Sequence, residues 1–534
     1  MAAKPQTLAT TSAFEVLGPI MVGPSSSHTA GALRCARVAA SLASGPIRRV
    51  RFTLWNSFAH TFRGHGTDRA LVAGVLGMDT DDERIRDAFD LAREAGLEVV
   101  FDEAPDDTSV HPNTVDIDMT CSDGTSCQVR GESLGGGRIR ISRVNGVGVD
   151  LTGAYATLFV AHRDAPGILA SLTHLLAEAA VNIAFCRTYR TEQGGRAYSV
   201  FETDGAPADG VLPQVRALRD VSFATFIMVP GSASATAPGV TAEELFDDGA
   251  QLLDACAERR LSIGGVMELR ERGLTGADYA KASMSRVIEV MREETSAPIS
   301  APARSLGGFI GGEARLVDAG AARWSGALMG ATQTDAVARA MAVLERSAAM
   351  GVIVAAPTAG SAGVVPGCVL AVADAMSAGE KDVASALYCA AAVGLNIQTH
   401  ACVAGAEGGC QAEVGSAAAM AAAALVELLG GTPEQALTAA SLAISNLLGL
   451  VCDPVGGLVE VPCQARNAIG VAAAFSAAQL ALSGVRWLVP FDEVVSAMAE
   501  VGHALPSRLR ETARGGLAAT PAARAACASC LGCA

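Results

Sequence analysis

ATLFVAHRDAPGILASLTHLLAEAA, Ala156–Ala180, is the stretch on which the division of the chain turns. Ala156–Ala161 is a short apolar run with strand character, HRDAPG is a turn, and ILASLTHLLAEAA carries apolar residues at helical spacing. VNIAFCRTYR and RAYSVFETD then read as two strands, PQVRALRD as a helix and FATFIMV as a last strand. The order is βαββαβ, which marks residues 153–230 as a compact unit with different sequence on either side.

To its left, residues 1–152 mix both periodicities. A helix is expected after SSSHTAG, Arg49–Trp55 (RVRFTLW) alternates as a strand, and Gly135–Val149 alternates after a glycine turn. This predicts an α+β domain. To its right, GSASATAPG (Gly231–Gly239) has linker composition, so 231–240 is taken as a linker. Thr241 with Glu244 fits a capping box for the next helix. Residues 241–534 are alanine-rich and broken by glycine loops, which predicts an all-α domain. The expected fold class is therefore multidomain, and 534 residues suit roughly two to four domains.

The net charge of −15 argues against nucleic acid as a partner, since phosphate contacts need clustered Lys and Arg. Ala384–Ala406 and Ala468–Val485 are uncharged enough to suggest membrane spans, but the first carries Asn396, Gln398, Thr399 and His400, and the second is alanine-rich with Gln479. Both read as buried helices, with no membrane partner. The N-terminus has no apolar signal core, and with 14 cysteines a reducing, cytoplasmic setting without a disulfide framework is expected.

The candidate chemistry lies in five motifs: GPSSSHTAG (Gly23–Gly31), SFAHTFRGHGTD (Ser57–Asp68), APTAGSAGVVPG (Ala356–Gly367), AEGGCQAEVGSAAAMAAAAL (Ala406–Leu425) and CDPVGGLVEVPCQARNAIG (Cys452–Gly470). Ser25, Ser26, Ser27 and Thr29 ahead of a helix make a carboxylate site, or only its N-cap. His28 and His65 are the candidate general bases, as imidazoles titrate near neutrality; His60 fits less well. Thr358 and Ser361 sit in a loop able to cradle an anion, or in a tight interhelical turn. Glu407 and Glu413 flank Cys410, with a surface helix face the plain alternative for Glu413. Arg466 and Asn467 can offset negative charge after Cys463, or Asn467 can cap the next helix.

Together, and with RETARGGLA (Arg510–Ala518), these motifs closely resemble the iron–sulfur-dependent L-serine dehydratases over nearly the whole chain. The middle unit resembles an ACT domain, which some members carry. The resemblance implies that Cys410, Cys452 and Cys463 hold a [4Fe–4S] cluster, without pyridoxal phosphate, leaving one iron free to bind L-serine. Spacing alone leaves buried structural thiols or a three-cysteine zinc site open. It further implies conversion of serine to pyruvate and ammonia, with Glu407 orienting substrate. In CASCLGCA, Cys533 is the closest match to a tail cysteine that reaches the open iron; Cys527 and Cys530 lie beside it at the spacing of a ferredoxin motif. Asp164, Gly167 and Asn182 mark an amino-acid regulatory site near the DAPG turn, or a purely structural dimerisation element; a homo-oligomer, a dimer in the simplest case, is expected. The alternatives are a lyase of the same fold acting on cysteine or threonine, and a non-catalytic amino-acid sensor. One methyl group shifts binding by only ~1–3 kcal/mol, so motifs leave the substrate side chain open.

Overall fold

A computed structural model describes residues 11–153, 155–205, 210–228, 245–324 and 326–528. The 231–240 linker, the Thr241/Glu244 capping box, Cys530 and Cys533 lie outside the described residues.

The N-terminal region is built on a six-stranded sheet in the order Glu98–Glu103, Ile47–Leu54, Thr114–Cys121, Ser126–Gly135, Arg138–Val144, Val147–Leu151. The first pair is parallel and the others antiparallel. Thr114–Cys121 alternates inward Val115, Ile117 and Met119 with outward acidic residues, so one face is apolar. Helices Ala32–Ser41 and Thr67–Val75 pack together, the first also lying against strand Ser126–Gly135. Gly74 permits their approach: a Cβ there would lie 2.3 Å from the Leu33 carbonyl oxygen.

The middle unit has four antiparallel strands in the order Val221–Ile227, Ala156–Arg163, Arg196–Thr203, Ile183–Arg190, with helices Ile168–Glu178 and Val211–Ala217. This is the βαββαβ order expected from the sequence. Leu158, Val160 and Phe201 face the two helices, while Phe159, Tyr198 and Val200 join the N-terminal core. Two buried faces explain why Ala156–Ala161 is an apolar run rather than an alternating one.

The C-terminal region is helical. At its centre, Ser416–Leu428 is buried on every side from Ser416 to Val426, packed against Glu380–His400, Pro433–Ser445, Cys463–Leu482 and Val364–Met376. Alanine and glycine let these axes approach closely; a Cβ on Gly363 would lie 2.1 Å from the Ala340 carbonyl oxygen. Among the described residues no helix is long and apolar enough to cross a membrane.

Two expectations need correcting. The region is not all-α: Val352–Val354 is a strand, paired antiparallel with Ile20–Val22 of the N-terminal region. Three residues are too short to show a period, and their pairing partner lies more than 300 residues away. Asn467 does not cap the helix after Cys463, because it lies inside Cys463–Leu482. The first described helix after the linker, Gly249–Arg259, is capped by Asp248, whose side chain accepts from the Gln251 N–H.

Candidate active site

The two-stranded Ile20–Val22/Val352–Val354 pairing brings the serine motif against the helical region. Ser26–Gly31 forms a π-helical turn that runs into helix Ala32–Ser41, a feature frequent at functional sites. Ser25 caps it, accepting from the His28 N–H at 3.1 Å. Every residue from Ser25 to Thr29 is buried.

His28 has both ring nitrogens engaged. Nδ1 lies 3.0 Å from Ser27 Oγ and 3.3 Å from Ser25 Oγ, and Nε2 lies 3.0 Å from Ser57 Oγ. Burial drives its pKa down to about 3; Glu511 pulls it up and His65 pushes it further down. The ring stays neutral at ordinary pH.

His65 is different. Its Nδ1 lies 3.2 Å from the Thr61 carbonyl oxygen, which can only accept, so Nδ1 carries a proton. Nε2 is buried without a hydrogen bond and faces Glu511 Oε1 at 3.3 Å, too poorly aligned to count as one. The backbone is held by Thr29 Oγ1, which donates to the His65 carbonyl at 2.9 Å. The two imidazole centroids are 4.4 Å apart.

Glu511 joins the two halves of the site. Its N–H donates to the Cys452 carbonyl at 2.9 Å, and its own carbonyl accepts from Ser57 Oγ at 3.2 Å. Its carboxylate also lies 3.7 Å from His28 Nδ1. It holds a left-handed φ of +56°, costly for a residue with a side chain and typical of functional positions. Burial raises its pKa, but His28 and His65 more than offset this, so the carboxyl sits below its usual range.

On the opposite wall, Cys452 and Cys463 line the same pocket as Pro24, Ser25, His65, Gly360, Glu413 and Glu511. A Glu413 oxygen and the Sγ atoms of Cys410 and Cys452 all lie within 4.8 Å of one another. The Cys452 thiol and then the Arg466 guanidinium, with Nη1 3.4 Å from Cys410 Sγ, hold the Cys410 pKa below its normal value against burial. Arg466 is itself fixed by Asp453 at 2.7 Å and the Val451 carbonyl at 2.9 Å. Burial raises the Glu413 pKa, helped by Glu511 and Cys410, so Glu413 is buried in the pocket and not on a surface face.

Thr358 Oγ1 donates to Glu413 at 2.9 Å and lies 3.1 Å from Ser361 Oγ. Asn467 ties this loop to the cysteine helix, accepting from the Gly363 N–H and donating to the Gly360 and Cys463 carbonyls.

Glu407 is held apart from this group. Its half-exposed carboxylate lies 3.6 Å from His111 Nε2. His60 is also apart, bound to Asp106 and Arg514 near the surface. Cys527 ends helix Pro521–Cys527 and is half-buried. In the middle unit, Asp164 accepts from Arg190 and the Gly194 N–H, Gly167 starts a helix at φ +90°, and Asn182 donates to Asp204 at 2.5 Å.

The motif reading did not single out Ser57, Asp453 or Glu511. Ser57 and Asp453 sat inside quoted motifs. Glu511 sat in RETARGGLA, where one acid between arginines looks like a solvated surface charge. Three buried thiols beside a guanidinium make a soft donor set that suits an iron–sulfur cluster or zinc, and the residues present fit either group.

Comparison with known proteins agrees with this layout. The model of the serine dehydratase beta chain matches residues 12–144, and that of the serine dehydratase alpha chain matches 169–518. An L-serine dehydratase of Streptomyces coelicolor is 31% identical, covering 93% of this chain and 96% of the relative. L-serine dehydratase 2 of Escherichia coli is 30% identical, covering 95% and 98%. A probable L-serine dehydratase alpha chain of Bacillus subtilis is 43% identical over 52% of this chain and 93% of its own length.

Proposed function

Because the chain belongs to the serine dehydratase family, with the beta and alpha parts fused in one polypeptide, we propose that it converts L-serine to pyruvate and ammonia in the pocket between His65 and the three cysteines. One observation carries this reading: His65 Nε2 and three buried thiols face a single pocket built from both parts of the chain. Cys410, Cys452 and Cys463 would hold a [4Fe–4S] cluster. With three protein ligands, that cluster supplies one iron able to act as a Lewis acid on the serine hydroxyl.

The chain's own groups do the remaining work. Thr61 fixes the Nδ1–H of His65, so the Nε2 lone pair is the one available to accept the Cα proton. The Glu511 carboxylate sits where it balances the imidazolium that results. His28 is neutral and saturated by Ser25, Ser27 and Ser57, so we assign it to holding the serine turn rather than to proton transfer. The serine carboxylate is assigned to the Ser25–Thr29 turn, with Thr358 and Ser361 closing the far side. Loss of water leaves aminoacrylate, which tautomerises to an imine and hydrolyses to pyruvate and ammonia. Arg466 offsets the charge of the thiolates in the closed site.

The βαββαβ unit, 153–230, is further proposed to be an ACT-like regulatory domain, with the Asp164–Gly167 turn and Asn182 as the amino-acid site. It stands between a beta-type domain, 1–152, and an alpha-type domain, 241–534. Calorimetry with serine tests this.

The test of the main reading is anaerobic turnover of L-serine against L-threonine and L-cysteine. Equimolar pyruvate and ammonia, with L-serine preferred, is the expected result. No pyruvate from L-serine, or a clear preference for either competitor, overturns it.

A further inference from the structure

A second cavity of about 420 Å³ opens on the N-terminal sheet, away from the cysteines, where the loop Asp107–His111 covers strands Ser126–Gly135 and Arg138–Val144. The pairing of these strands is unusual. Arg130 stands directly opposite Arg143, and Glu132 opposite Arg140. Like charges facing one another across two strands are destabilising unless something negative lies between them. The register also shifts here: Gly131 pairs with Ile141 and Arg130 with Arg143, which leaves Ser142 as an extra, bulged residue. Bulges re-aim side chains at functional sites. The Ser142 hydroxyl lines the cavity, is enclosed, and has no hydrogen-bond partner.

The spare capacity in this cavity is donor capacity. Its carboxylates are already engaged: Glu132 accepts from Arg140, and Asp107 accepts from the Ser109 N–H at 2.8 Å. Arg130 is held by Asp116 through two bonds of 2.6 Å, which fixes its guanidinium plane but leaves other N–H groups unused. Arg143 makes no hydrogen bond or ion pair among the described residues. His111 Nδ1 accepts from the Asn113 N–H at 3.2 Å, so its proton resides on Nε2.

We propose that this cavity is a second binding site, taking a small oxyanion (a carboxylate or phosphate group) between Arg130, Arg143 and Ser142. Guanidinium forks and a hydroxyl donor match such a group, and its charge removes the Arg130–Arg143 conflict. The site backs onto the catalytic turn, because Ser133, next to Glu132, donates through Oγ to the Ser27 carbonyl at 2.8 Å. The inference does not depend on serine chemistry.

The test is calorimetric titration of the full cluster-loaded chain at low ionic strength, where screening is weak. Inorganic phosphate is one arm and succinate the other. Saturable binding of either at one per chain supports the site, and the arm that saturates identifies the group. Arg143→Glu should weaken it by at least about tenfold, and Ser142→Ala should weaken it less. Basal turnover of both variants should match wild type. No saturable heat in either arm up to about 10 mM, or equal binding by wild type and Arg143→Glu, overturns the proposal.

Discussion

Replacing His28 by glutamine should make the protein resist acid better than wild type, even though a buried, fully bonded side chain is lost. In the folded chain, burial depresses the His28 pKa from 6.5 to about 3. The unfolded chain therefore takes up a proton as pH falls through 6.5, whereas the folded chain refuses one until about 3. A depressed histidine pKa thus costs stability on acidification. The penalty begins below the unfolded value and is complete below the folded one. Its full size is the pKa difference times 1.36 kcal/mol, or about 5 kcal/mol, of which about 2 kcal/mol has accrued by about pH 5. His28 is fully buried, so solvent screening removes little of this. Glutamine has no such proton to refuse, and the other titrating groups are shared and cancel in the difference to first order. The assay is urea unfolding of both proteins at about pH 7.5 and about pH 5, read through Trp55 in the N-terminal region. The stability gap, variant minus wild type, should rise by about 2 kcal/mol at the lower pH. A gap that stays constant, or moves the other way, would refute the claim that His28 is buried and neutral.

Three other substitutions probe different parts of the site. His65→Ala should keep its iron and sulfide but lose about 10²–10⁴-fold in kcat, the usual worth of a positioned base; metal analysis beside steady-state kinetics checks both. Glu511→Gln removes the carboxylate beside His65 Nε2, and kcat should fall roughly 10–100-fold, as for a lost hydrogen bond to a charged group, with iron content unchanged. Gly363→Ala would drive a Cβ to 2.1 Å from the Ala340 carbonyl oxygen. It should cost roughly 1–3 kcal/mol through forced backbone shifts, seen as a lower melting temperature.

The βαββαβ unit was legible because each of its elements carries its own period and the turns between them are short. The helical bundle was legible from the alanine-rich composition of residues 241–534. Val352–Val354 escaped because three residues carry no period, and a strand of that length is defined by a partner distant in sequence. The candidate site divides in the same way. His28, His65 and the cysteines sit in motifs whose residue types advertise chemistry. Glu511 does not, since its role depends on the Arg510 backbone bridging to Cys452 and on the protein enclosing the carboxylate. Glu407 shows the converse: adjacency to Cys410 in sequence did not predict direction, and its side chain turns toward His111.

The most direct test of the central claim is the iron and acid-labile sulfide content of the chain purified without oxygen, measured beside a Cys452→Ser variant. The account predicts about four of each per chain, loss of both in the variant, and pyruvate formation from L-serine that disappears with the cluster on exposure to air. Stoichiometric zinc in place of iron, or full turnover by protein that holds neither iron nor sulfide, would contradict it.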